Sequence, residues 1–179
     1  TLPFFGTVFT ISTHFPYPIP DTMQKAFSFV GQNKEQRSIA YLDYALRLFF
    51  QSIKNESWYQ NTLFVFTADH NIWGRLNTAS CYYKCFRIPL FFHRPAQPVF
   101  QPIHSITQQL DVVPTILDLL EVNKPFMSFG KSVLDTIGEG WACNKINQTY
   151  QLIYKNHLLG YDEASEQPVF FYDYRSDST

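Results

Sequence analysis

The sequence predicts an α/β domain, and three features of its pattern support this. Short apolar runs rich in β-branched and aromatic residues, at 4–12 and 64–68, are typical of strands. Between them, from Glu35 to Asn55, apolar residues recur every three or four positions, as in a helix packed on a sheet. The order strand, helix, strand favours a right-handed crossover, so we expect these two strands to be parallel. Further strand-like runs predict a small antiparallel sheet at the C-terminal end.

Composition excludes several classes of protein. The chain has 179 residues, of which 45% are hydrophobic and 18% aromatic, and this is incompatible with a disordered chain. The net charge of −1 offers no broad electrostatic basis for binding nucleic acid, so we expect no nucleic-acid partner. No apolar run reaches the length of a membrane-spanning helix. The chain starts at Thr1 in what looks like mid-domain sequence, so we expect a piece of a longer protein.

The central strand ends abruptly in an acid and an imidazole, Asp69 and His70. In open α/β sheets, ligands bind just beyond the carboxyl ends of the strands. Carboxylate oxygen and neutral imidazole nitrogen suit a divalent metal such as zinc or manganese. The sequence therefore makes Asp69 and His70 candidate metal ligands, and the alternative is a strand that ends in an ordinary polar turn.

A second imidazole, His14, follows the first predicted strand and precedes a loop rich in proline. If the strands at 4–12 and 64–68 are parallel neighbours, His14, Asp69 and His70 lie at the same edge of the sheet. The alternative for His14 is a loop histidine bonded to the backbone. His93 follows another short strand at 88–92. Its ring could face the site or solvent, and we expect it to face solvent.

Downstream, Asp111 stands where a helix begins, with Pro114 in the first turn. Asp111 could act as a catalytic acid, but capping of backbone amides explains it better. We interpret residues 22–34 as a polar connector and 122–143 as a loop. The strands predicted near the C-terminus are 150–154, 158–161 and 169–174.

The three cysteines cannot all pair within the chain. Cys81 and Cys85 are close enough in sequence to close a small disulfide loop in an oxidising compartment, and unpaired thiols are an equal alternative. Cysteine usage, including Cys143, therefore does not decide the compartment.

Four blocks, taken together, resemble a known family. They are Thr13-His14-Phe15-Pro16-Tyr17, Asn61 to His70 with the preceding helix, Ile88-Pro89-Leu90-Phe91-Phe92, and Gln109 to Asp118. Their types and order resemble the sulfatase-type domain of lipoteichoic acid synthases and related phosphoglycerol or phosphoethanolamine transferases, in the alkaline phosphatase superfamily. The resemblance implies the C-terminal part of an alkaline phosphatase-like sandwich, mostly parallel sheet flanked by helices. On this basis we expect residues 1–143 to belong to the α/β core and 144–179 to a small antiparallel subdomain.

The resemblance also implies roles for individual residues. Asp69 and His70 would be ligands of one divalent metal, Mn2+ in the first place, with Zn2+, Mg2+ and Ca2+ as alternatives. His14 would contact the phosphate or leaving group of the substrate. The family attacks its phosphodiester with a threonine in the N-terminal half of the domain. Thr7, Thr10 and Thr13 do not stand in that motif, so no residue of this chain is assigned as the nucleophile.

The implied function is part of a metal-dependent phosphotransferase or hydrolase acting on phosphodiester or sulfate esters. The expected substrate derives from a phospholipid or glycan, and the expected protein partner is the missing N-terminal half of the same domain. The resemblance places such an enzyme at the cell membrane, with this domain on the extracytoplasmic side and this chain alone inactive. The alternative is a non-catalytic module that binds envelope glycans or lipid head groups through its aromatic residues.

Overall fold

A computed structural model describes residues 2–31, 33–71, 83–97 and 102–176. The chain forms two compact units. The first comprises Thr1–Phe64 with His93–Pro98, and the second comprises Val65–Phe92 with Val99–Thr179. Trp73 and Cys81 lie outside the described residues.

The first unit is built on the predicted amphipathic helix. Helix α1 spans Asp21–Phe27 and helix α2 spans Lys34–Ile53. Asn33 caps α2, because its side-chain oxygen accepts a hydrogen bond from the backbone N–H of Gln36 at 2.9 Å. Helix α1 was not predicted; it is a short helix with no buried residue that overlaps the predicted polar connector at 22–34.

An aromatic cluster holds the far end of α2. The Phe50 and Phe64 rings meet edge to face with centroids 5.1 Å apart, and Tyr59 approaches Phe64 at 5.9 Å. His93 stacks on Phe64 with centroids 6.2 Å apart, and its residue is only partly exposed. The prediction that His93 faces solvent was therefore wrong, because the ring completes an aromatic cluster.

Residues 4–12 do not form the predicted strand. Their apolar side chains are largely exposed, including Phe5 at 89% and Phe9 at 74%. A β-strand requires a neighbouring strand to satisfy its backbone groups, and the structure provides none along this stretch of the described chain. The expectation of parallel pairing between 4–12 and the central strand is therefore not realised in this structure.

The central strand itself was predicted correctly. Strand β1 spans Phe64–Thr67 and pairs with strand β2, Leu90–His93, in a two-stranded sheet. A 3₁₀ turn at Gln109–Asp111 leads directly into helix α3, Val112–Leu119, with Pro114 in its first turn as expected.

Four antiparallel strands close the chain in the order β3-β4-β5-β6. They are Trp141–Ile146, Thr149–Tyr154, His157–Asp162 and Gln167–Asp173. The core of this sheet consists of Ala142, Ile153 and Leu158, with Ile106 and Phe170 packed against it. The small antiparallel sheet is thus confirmed, and it begins at Trp141, within a stretch interpreted from the sequence as a loop.

Candidate metal site and its cleft

Asp69 and His70 follow the end of β1, as the sequence predicts. The backbone N–H of His70 donates a hydrogen bond to Asp69 Oδ1 at 2.9 Å. This contact holds one carboxylate oxygen against the backbone and directs the other, Oδ2, toward the His70 ring. The side chains of His70 and Asp69 are 49% and 57% exposed, so a ligand can reach both.

The His70 ring is oriented by a contact to the backbone. Its Nδ1 lies 2.8 Å from the carbonyl oxygen of Asn71, and only a protonated Nδ1 can donate to that acceptor. In the neutral ring, Nε2 then carries the lone pair. A backbone carbonyl that fixes the tautomer in this way is a common companion of histidines that bind metals.

The two remaining donor atoms suit a shared cation. Asp69 Oδ2 and His70 Nε2 lie 3.6 Å apart. Ligand atoms about 2.1 Å from one metal, at angles of about 90–120°, are roughly 3.0–3.6 Å apart. The pair therefore fits as two ligands of one divalent metal.

The pair does not make a complete coordination set. Over 2–31, 33–71, 83–97 and 102–176, no three His, Cys, Asp or Glu side chains are grouped to hold a metal ion. Structural metal sites use four protein ligands and catalytic sites about three. Asp69 and His70 can therefore supply part of a metal's coordination, and further ligands have to come from elsewhere.

An amide side chain supports the segment that carries this pair. Gln109 Nε2 donates to the carbonyl oxygen of Ala68 at 3.1 Å and to that of Asp69 at 2.8 Å. Sequence reasoning missed this residue, because a lone glutamine before a helix carries no pattern and its partners are about forty positions away.

Asp111 binds backbone amides, but not those of α3, which its side chain does not cap as the sequence predicted. Its Oδ2 accepts from the backbone N–H of Gln108 at 2.9 Å, and its Oδ1 accepts from that of Lys131 at 3.0 Å. The residue is 6% exposed. A buried carboxylate with both oxygens bonded to backbone amides anchors the segments that carry those amides.

Asp69 and His70 open into a cleft of about 1470 Å³ within the second unit. Several cationic or potentially cationic side chains belong to its lining: Lys84, Arg87, His104, Lys145 and Arg175. Glu163 forms an ion pair with Lys145, and its hydrogen bond raises the pKa of the Lys145 ammonium. The cleft therefore combines one acid–imidazole pair with lysine and arginine side chains, which suit an anionic ligand.

His14 lies in the first unit, in a turn where its backbone N–H donates to the Ile11 carbonyl. Its Nδ1 lies 2.8 Å from the carbonyl oxygen of Phe15, so the Nε2 atom is the one presented outward. The backbone contact that the alternative interpretation expected is thus present. The convergence of His14 with Asp69 and His70 remains a prediction.

The thiols of Cys85 and Cys143 are free, and Cys81 lies outside the described residues. Cys85 and Cys143 both line the cleft. None of the helices in the described part of the chain combines the length and the apolar character that a membrane span requires.

The fold of the chain is similar to that of a solved protein described as a member of the alkaline phosphatase superfamily. That protein, from Vibrio parahaemolyticus, superposes on 90% of this chain with a TM-score of 0.61. The sequence identity is 21%, and the match covers 42% of the solved chain. The α/β class and the membership in this fold, both expected from the sequence, are confirmed.

The chain belongs to the Sulfatase family, whose model matches residues 1–122. It is 30% identical over 152 residues to the lipoteichoic acid synthase-like protein YvgJ of Bacillus subtilis, and 31% identical over 151 residues to lipoteichoic acid synthase 2 of that species. These matches each cover 74% of this chain, and they cover 25% and 23% of the two relatives. The chain thus spans about a quarter of the curated relatives it matches.

Proposed function

We propose that this chain supplies part of the metal and substrate site of a phosphoglycerol-type transferase or hydrolase of the cell envelope. The observation that carries the proposal is the pairing of Asp69 Oδ2 with His70 Nε2 at 3.6 Å, in the lining of a cleft that also includes lysine and arginine side chains. The similarity to lipoteichoic acid synthases supports a phosphodiester substrate derived from a phospholipid or glycan. A sulfate ester is the alternative substrate that the family allows.

Asp69 and His70 would hold one divalent cation, with Mn2+ as the first expectation. When bound, such a cation polarises phosphoryl oxygens and lowers the pKa of a hydroxyl nucleophile. Asn71 keeps the His70 tautomer that leaves Nε2 available, and the His70 backbone N–H keeps Asp69 in place. These contacts reduce the reorganisation that ligand binding requires.

The remaining residues of the proposed site would bind the negative charge of the substrate and deliver a proton to it. Lys84 and Arg87, on the wall of the cleft, would bind the anionic phosphodiester, and arginine can do so with two parallel hydrogen bonds. His14, when protonated, would stabilise the developing negative charge or deliver a proton to the leaving oxygen.

The rest of the site belongs to a partner segment, the N-terminal half of the same domain in the complete protein. We propose that this half supplies the threonine nucleophile and the further metal ligands. Two observations support this proposal. The chain covers only a quarter of its curated relatives, and the apolar side chains of residues 4–12 are exposed here. The complete protein would work at the cell membrane, with this domain on the extracytoplasmic side.

The test is a titration of the complete protein with MnCl2, comparing wild type with Asp69→Ala. We expect the affinity for Mn2+ to fall roughly 100-fold or more, because loss of a supporting contact alone costs about 10–100-fold. Hydrolysis of a chromogenic phosphodiester should fall in parallel. Asp43→Ala, an exposed acid on α2, is the matched control and should change neither quantity.

A non-catalytic binding module is the second candidate, and one observation favours it. The aromatic residues Trp141, Tyr150 and Tyr154 are 36–46% exposed on the four-stranded sheet, where they could stack on sugars. Binding of an envelope glycan that is unchanged in Asp69→Ala, together with no turnover by the wild-type protein, would establish this function in place of the enzyme.

A further inference from the structure

We infer that Gln109 is a positioning residue for the Asp69–His70 pair. This inference rests on the proposed metal site and assigns a role to a residue outside it. Gln109 does not belong to the acid–imidazole pair, yet its amide nitrogen contacts the backbone on both sides of the Asp69 Cα atom. The identity of the contacting atom is clear, since two carbonyl oxygens can be met only by the –NH2 end of the amide.

Through the geometry of these two hydrogen bonds, Gln109 restrains the backbone conformation of Asp69. Each peptide unit is a rigid plane, so the backbone at one residue is defined by the two planes that flank its Cα atom. The Ala68 oxygen belongs to the plane before Asp69, and the Asp69 oxygen belongs to the plane after it. By donating to both oxygens, at 3.1 Å and 2.8 Å, Gln109 restrains the φ and ψ angles of Asp69.

The second plane also carries the His70 N–H. That N–H donates to Asp69 Oδ1, so the restraint extends from the backbone to the carboxylate. A rotation of this plane would move the donor away from Oδ1 and change the 3.6 Å separation between Asp69 Oδ2 and His70 Nε2. Gln109 therefore acts on the spacing of the two proposed ligand atoms without touching either one.

Gln109 can act in this way because its own backbone is firmly held. It is the first residue of the 3₁₀ turn whose last residue, the buried Asp111, bonds to the amides of Gln108 and Lys131. Thr115, fully buried, donates to the Asp111 carbonyl at 2.6 Å and accepts from the Val133 N–H at 3.0 Å. Gln109 thus links the exposed Asp69–His70 pair to the buried hydrogen bonds of Asp111 and Thr115.

Gly130 brings the neighbouring segment against the same turn. A Cβ atom at this position would overlap the carbonyl group of Leu110, the residue after Gln109. Only glycine allows this approach, because the obstructing atoms are backbone and cannot move aside. The support beneath Gln109 is therefore close-packed.

The experiment compares Gln109→Met with wild type in the complete protein, using Mn2+ as the probe. Methionine keeps the length and shape of the side chain and removes both donors. We expect the affinity for Mn2+ to fall about 10-fold or more, as for other contacts that orient metal ligands. The melting temperature of the metal-free protein should match that of Gln60→Met, a control at another exposed glutamine.

Amide hydrogen exchange in the metal-free protein gives an independent readout. Gln109→Met should accelerate exchange of the His70 amide, whose acceptor Asp69 Oδ1 loses its fixed position. If Gln109→Met does not fold, Gln109→Glu serves in its place, because it keeps the shape and opposes the two carbonyl oxygens with a carboxylate. Unchanged Mn2+ affinity in the folded variant would overturn the inference, and so would unchanged exchange of the His70 amide.

The two proposals fail in distinguishable ways. If Asp69→Ala lowers Mn2+ affinity and Gln109→Met does not, the metal site stands and the positioning role is overturned. If Asp69→Ala binds Mn2+ like wild type, the metal site itself fails, whatever Gln109→Met does. Lower affinity together with a lower melting temperature than that of Gln60→Met would mean that Gln109 stabilises the fold in general and would also overturn the positioning role.

Discussion

The four-stranded sheet and the N-terminal segment, residues 4–12, are similar in composition but differ in secondary structure. Both are rich in β-branched and aromatic residues, but only the sheet forms strands, while residues 4–12 leave Phe5 and Phe9 exposed. Strands β3 to β6 each find a partner after a short turn, so their hydrogen bonds are completed locally. The N-terminal segment has no sequential neighbour of that kind. Strand-forming residues thus become a strand only when a partner lies within reach.

The largest effect is expected for Leu158→Ala, which tests the stability of the four-stranded sheet. Leu158 is fully buried and forms the centre of the sheet's core. We expect a loss of about 2–5 kcal/mol in the free energy of unfolding, measured by urea denaturation, because truncation removes apolar contacts and leaves a cavity. Leu152→Ala is the matched control, since Leu152 lies on a neighbouring strand and is 39% exposed. Equal losses in the two variants would contradict the assignment of the core.

The substitution Phe9→Ser tests the N-terminal segment, residues 4–12. If residues 4–12 pair with the N-terminal half in the complete protein, Phe9 is buried there, and the substitution should cost about 1.5–3 kcal/mol of unfolding free energy. Slow amide exchange over residues 4–12 in the complete protein would be the direct sign of a strand. Met127→Ser, at a residue 92% exposed, should change stability by less than about 0.5 kcal/mol. A Phe9 variant as silent as this control would disprove the pairing.

The smallest effect concerns the turn between β5 and β6. The Ser165 hydroxyl and backbone N–H donate to the Asp162 carboxylate, and these hydrogen bonds lower the pKa of Asp162. A carboxyl with a depressed pKa stabilises the fold above its unfolded pKa of about 3.9, and this contribution is lost as the pH falls through the folded value. Ser165→Ala should move the pKa of Asp162 upward, as followed by NMR titration of the carboxyl carbon. An unchanged titration would show that the hydroxyl has no influence on this carboxylate.

In the candidate site too, features that depend on neighbouring residues were predicted, and features that depend on distant residues were not. Asp69 and His70 were found from the sequence, because an apolar run that ends in two polar ligand types is a local pattern. Asp111 was singled out for a similar reason, because it precedes a helix, but one of the two amides that it binds belongs to the distant Lys131. The contacts of Gln109 and the cations around the cleft could not be found in this way, because their partners are distant in the chain.

Errors in the predicted elements have the same origin. Strand β3 carries Asn144 and Lys145 among its six residues, so it lacks a clear alternation, and its pairing with β4 decides its structure. His93 was expected to face solvent, whereas its ring stacks on the ring of Phe64. In both cases a neighbour outweighed the local preference.

The sequence alone predicts the amphipathic helix α2, the strand β1 with the acid–imidazole pair that follows it, and the family to which the chain belongs. These features depend on spacings of a few residues, which backbone geometry imposes directly. Only the folded chain shows that residues 4–12 are unpaired in this structure, that Gln109 binds the backbone of Asp69, and that lysine and arginine side chains share a cleft with the acid–imidazole pair. Such features depend on which distant segments meet, and that outcome follows from the packing of the whole chain.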